Sequence, residues 1–88
     1  MSLKDLITRT LEERFAPTHL VVTDESHQHH GHAGWREGGE THFRVDIVSP
    51  AFDGKGRVER HRLVNDSLAP AFARGLHALA VKARAPGE

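Results

Sequence analysis

Cysteine is absent from this 88-residue chain, which excludes a disulfide framework and any metal site built on its own thiolates. Net charge is absent too. Twelve basic and twelve acidic residues cancel, so the overall positive field of a protein that holds nucleic acid mainly by its phosphates is missing, while local patches remain open to it. No run is long and apolar enough to cross a bilayer. Lys4, Asp5, Arg9 and Glu12 interrupt the N-terminal stretch where a signal-peptide core would be continuous. These gaps lead to the expectation of a soluble, cytoplasmic protein with no membrane contact. Catalytic signatures are missing as well: there is no cysteine nucleophile, no Gly-x-Ser-x-Gly elbow and no phosphate-cradling glycine loop, so a non-enzymatic role is expected. The length suits one domain, residues 1–88, without a repeat or linker.

What the chain has in excess is histidine, with eight residues, a side chain that ligates metals and titrates near neutral pH. Ser2 and Asp5 can cap a helix in which Leu3, Leu6, Ile7, Leu11 and Phe15 form one apolar stripe, closed by Pro17. Leu20 to Thr23 is a short β-prone run. From His27 to Glu40 the chain has no sustained apolar period, which predicts a long surface loop carrying His27, His29, His30, His32 and Trp35. Phe43, Val45 and Ile47 alternate with His42, Arg44 and Asp46, the period of a strand with one buried face. A turn around Asp53-Gly54 leads to a second helix with His61, Val64, Leu68 and Phe72 on one side, which Pro70 should kink or split. After Gly75, a last strand runs from Leu76 to Lys82, and residues 84–88 read as a flexible tail. The order helix, strand, strand, helix, strand (αββαβ) predicts an α+β fold with helices packed on one face of a small three-stranded mixed sheet.

Four segments together resemble the BolA family: Asp24-Glu25-Ser26 followed by histidine, Thr41-His42-Phe43 opening a strand, Phe52-x-Gly54 running to Arg60-His61-Arg62, and Leu76-His77-Ala78-Leu79. The resemblance implies a fold similar to a type II KH domain. It also implies pairing with a monothiol glutaredoxin, in a heterodimer sharing a [2Fe–2S] cluster, in cluster trafficking or iron regulation. By position, the family's ligands fall on His77 and on a histidine of the first loop, His29 or His32. The glutaredoxin cysteine and glutathione would supply the rest, so the isolated domain, a monomer or weak dimer, would hold no cluster tightly.

The residues by themselves leave alternatives open. A lone strand histidine such as His77 is more often hydrogen-bonded at a sheet edge than bound to metal. The loop histidines could bind a cation on their own or be merely solvated. His61 lies on an apolar stripe and suits helix packing, whereas His42, opposite in phase to Phe43, suits support of the loop base. Lys55, Arg57, Arg60 and Arg62 form a basic patch that could be a solvated face, a docking surface for the glutaredoxin, or a contact for DNA in a transcriptional regulator. Gly54-Lys55-Gly56 lacks the Gly-x-x-Gly spacing of a KH nucleic-acid loop, and one tryptophan is not a stacking platform.

Overall fold

The computed structural model describes residues 2–25 and 42–88. The first helix, α1 (Leu3–Phe15), begins where the Ser2 hydroxyl accepts the Asp5 N–H at 3.0 Å, satisfying one of the donors a helix start leaves unpaired. Its stripe Leu3, Ile7, Leu11 and Phe15 is buried. It ends at Ala16, which adopts the left-handed conformation (φ 43°) just before Pro17, a residue unable to donate to the helix ladder.

Three strands follow: β1 (His19–Asp24), β2 (His42–Val48) and β3 (Ala78–Arg84). β2 is central, with β1 antiparallel on one side and β3 parallel on the other. The parallel pair needs a crossover. It is supplied by a short 3-10 turn (Pro50–Phe52) and the helices α2 (Arg57–Ser67) and α3 (Ala69–Ala73). Gly54, at φ 75°, turns the chain toward α2 in a conformation that suits glycine. Phe43, Val45 and Ile47 of β2 face the helices and meet Phe52, Val64 and Leu68 in one core. The α+β architecture and mixed sheet are those expected from the residue periods, and a KH-like description fits them.

Ser49 ties the layers together. Fully buried, its hydroxyl donates to the Phe15 carbonyl at 2.6 Å and accepts the Ala51 N–H at 3.1 Å. One side chain thus satisfies the end of α1 and the start of the 3-10 turn.

The structure corrects three expectations. Pro70 does divide the second helix, but the new segment α3 starts around it and buries Ala71, leaving Phe72 39% exposed. The single apolar stripe assumed a continuous 3.6-residue period, which a break at Leu68 rephases. The last strand begins at Ala78, later than Leu76, and continues to Arg84, because Leu76 is used in the core beyond the end of α3. The tail 84–88 is folded back: Ala85 is buried, and the Glu88 side chain accepts hydrogen bonds from Arg60 and from the Ala85 N–H.

Candidate functional site

The parallel pairing of β2 with β3 brings their starts to one end of the sheet, with His42 opposite Ala78. His77, immediately before β3, thereby meets His42, with ring centroids 5.2 Å apart and planes inclined by 56°. The two imidazoles differ sharply in access: His42 is 7% exposed, and His77 is exposed. A recess of about 300 Å3 at this end is lined by Glu25, His42, Phe43, Arg44, Ala78, Leu79 and Ala80. Its rim is fixed by the Glu25 N–H donating to the His42 carbonyl at 2.8 Å and by Arg44 Nε donating to the Glu25 carboxylate at 3.0 Å. A neutral imidazole carries one lone pair for a metal or a proton. His77 can offer its own to an incoming molecule, with His42 as the wall behind it. Among the described residues no three His, Asp or Glu side chains converge to hold a metal ion. His27, His29, His30, His32 and Trp35 lie outside the described residues.

A second concavity, a groove of about 580 Å3, runs between the start of α2 and the free side of β3. Arg44, Lys55, Arg57, Arg60, His61, Val81, Lys82 and Ala83 line it. Arg60 is held firmly at its border: its guanidinium donates through Nη1 and Nη2 to both carboxylate oxygens of Glu88, the Nη2 bond being 2.7 Å, and through Nη1 to the Ala83 carbonyl at 3.3 Å. Of the expected basic patch, Lys55, Arg57 and Arg60 belong to this groove. Arg62, exposed and one residue beyond His61, does not line it. His61, for which a core or helix-packing role is expected, is half-buried and also lines the groove.

The family model described as "BolA-like protein" matches residues 11–88. The chain belongs to the BolA-like family. A Sinorhizobium protein described only as an uncharacterized protein in the cobS 5' region is 55% identical over the whole of this BolA-like chain and 96% of its own length. A Vibrio cholerae relative named DNA-binding transcriptional regulator BolA is 42% identical, over 90% of this chain and 71% of that one. The solved BolA domain of SufE1 from Arabidopsis thaliana superposes with a TM-score of 0.87 at 44% identity, over 98% of this chain and 94% of that one. The BolA-like chain spans only 23% of the Arabidopsis SufE-like protein 1 and 50% of Arabidopsis BOLA1. Of these relatives, the Vibrio protein is named as a regulator and the Arabidopsis BOLA1 protein by its BolA family. No helix among the described residues is long and apolar enough to cross a membrane.

Two parts of the BolA-like site escaped the residue pattern. His42 beside His77 could have been found by pairing β3 parallel to β2, since both histidines stand at strand starts. The Arg60–Glu88 pair had no local signal, because its partners meet only through the fold. This pair holds the Glu88 carboxyl down to about 2, chiefly through the hydrogen bond from Arg60 and then that from the Ala85 N–H. A carboxyl depressed in the folded state contributes stability above its ordinary value of 4.5, and that contribution is lost as pH falls toward 2. Glu88→Gln is therefore expected to lower stability slightly at pH 7, and the gap from the parent should shrink steadily toward pH 2. Urea unfolding of both proteins across that range checks this, and a gap independent of pH would contradict it.

Proposed function

We propose that the chain docks on a monothiol glutaredoxin as a non-enzymatic partner and supplies His77, with His29 or His32, to a shared [2Fe–2S] cluster that is cargo for trafficking or iron regulation. The observation that carries this reading is the exposed His77 imidazole, backed by buried His42, at the end of the sheet from which the histidine-rich segment departs. That segment leaves at Glu25 and returns at His42, whose backbones are bonded to each other beside the recess. His29, four residues past Glu25, can lie no more than about 14 Å from that anchor, from the reach of an extended chain. Chain length alone thus allows His29 to approach the end of the sheet at which His77 stands.

The donor set fits such cargo in kind and falls short in number. Histidine can replace thiolate on one iron of a [2Fe–2S] cluster and raises its potential. A chain without cysteine can supply only that half, so the thiolates must come from the glutaredoxin cysteine and its glutathione. The test is reconstitution of the mixed proteins under anaerobic conditions. The expected product is a heterodimer whose visible absorption and circular dichroism differ from those of the glutaredoxin alone. Of His29→Ala and His32→Ala, one should remove that difference and the other leave it. If mixing produces no heterodimer and no spectral change, the proposal fails.

The second reading, a regulator contacting nucleic acid through Lys55, Arg57 and Arg60, is favoured by the name of the Vibrio relative and by the cationic groove. Among the described residues that line the groove there is no aromatic ring, the kind of surface on which single-stranded bases usually stack.

A further inference from the structure

The parallel register fixes which backbone groups of β3 face away from the sheet. The Ser49 N–H donates to the Arg84 carbonyl at 3.0 Å, which places Arg84, and with it the alternate residues Lys82, Ala80 and Ala78, toward β2. Leu79, Val81 and Ala83 therefore turn their N–H and C=O groups to the outer edge of the sheet, which no other strand among the described residues covers. The Arg60 contact confirms the phase, since it reaches the Ala83 carbonyl from that side. An open strand edge is a template for another extended chain. Here the groove lies along it, with Val81 and Ala83 in its wall, and Lys55, Arg57 and Lys82 around it. No carboxylate is among the described residues that line the groove. At its far end the chain already holds one acidic group in place: the Glu88 carboxylate sits on Arg60 and on the Ala85 N–H.

We propose that the open edge of β3 and its cationic groove dock an extended acidic polypeptide segment, which adds as a fourth strand through the outward groups of Leu79 and Val81. Main-chain bonds to the edge would give the affinity, and carboxylates meeting Lys55, Arg57 and Lys82 would give the choice of partner, as in other cases of strand addition. Nucleic acid fits less well. Phosphates would use the cations but leave the backbone edge unused, and none of the described lining residues offers an aromatic ring to a base. The inference concerns the side of β3 away from β2 and is independent of the cluster reading.

The experiment uses the full chain, isotope-labelled, titrated at low salt with the terminally blocked heptapeptide EVETEVE. Three further probes are run in parallel: its lysine counterpart KVKTKVK, a single-stranded oligothymidylate and inorganic pyrophosphate. The acidic peptide is expected to bind saturably and to slow hydrogen exchange at the Leu79 and Val81 amides, while the lysine peptide leaves them unchanged. The charge reversal Arg57→Glu/Lys82→Glu should weaken binding by roughly tenfold or more, as loss of charge complementarity does. Val81→Pro removes a donor on the open side only and should abolish binding while β2 and β3 remain paired. If that variant does not fold, amide protection in the parent chain decides the matter. Binding without protection at Leu79 and Val81 would overturn the proposal. So would oligothymidylate shifting these amides where the peptide does not, or pyrophosphate displacing the peptide fully, which would leave a simple anion site.

Discussion

If the proposed complex forms, replacing His77 by alanine is expected to erase the spectral signature that distinguishes it from the glutaredoxin-bound cluster alone, while leaving the fold of the chain intact. The two halves of this expectation come from the same geometry. His77 is exposed and precedes β3 instead of sitting inside it, so its loss should change folding stability by no more than about 0.5 kcal/mol, as for surface substitutions generally. Its imidazole is the accessible one of the pair, so no other described histidine at that end can take its place. His42→Ala gives the contrasting control. That side chain is 7% exposed, and removing it should cost roughly 1–3 kcal/mol by opening a cavity under His77. Visible circular dichroism of reconstituted complexes, read beside thermal unfolding of the isolated variants, separates the two. An unchanged spectrum with His77→Ala would remove this residue from the ligand set.

The largest effect on the fold itself is expected at Phe52. The ring is fully buried and lies 5.1 Å from that of Phe15, centroid to centroid. It thus joins the 3-10 turn to the last turn of α1, beside the Ser49 hydroxyl that bonds both. Truncation to alanine removes the ring and leaves a cavity, a change that costs about 3–5 kcal/mol. A domain of this size has a total stability of roughly 5–15 kcal/mol, so Phe52→Ala should consume a large share of it. At about 4–8 °C per kcal/mol for small domains, the midpoint should fall by more than about 12 °C. Thermal unfolding followed by far-UV circular dichroism checks this, and a shift of only a few degrees would show that the surrounding core closes over the gap.

Phe43, Val45 and Ile47 were legible because a half-buried strand alternates strictly, and Leu3, Ile7, Leu11 and Phe15 because one helix face is apolar. Both are local consequences of backbone geometry. The phase beyond Pro70 was not legible, since the break at Leu68 resets it and only packing selects Ala71 over Phe72. The attachment of the tail is not legible in Ala85-Pro86-Gly87, which has the composition of a loose end, because it depends on Arg60 from α2 across the fold. For the site, His77 stood out in the motif. Its neighbour His42 did not, since their contact belongs to strand pairing. Arg44 and Lys82 joined the groove for the same reason: residues on adjacent strands converge through register, which no window along the chain contains.

The parallel pairing of β2 with β3 has a consequence in time as well as in space. β1 and β2 are consecutive along the chain and pair antiparallel. The meeting of His42 with His77 waits on the crossover through α2 and α3, and such non-local contacts are the slow ones to form. The imidazole pair is thus a product of completed topology, absent from any chain in which β3 has not yet docked. A partner that recognises His77 against its histidine backing would engage finished molecules and pass over unfinished ones, so that completion of the fold would itself gate the proposed docking.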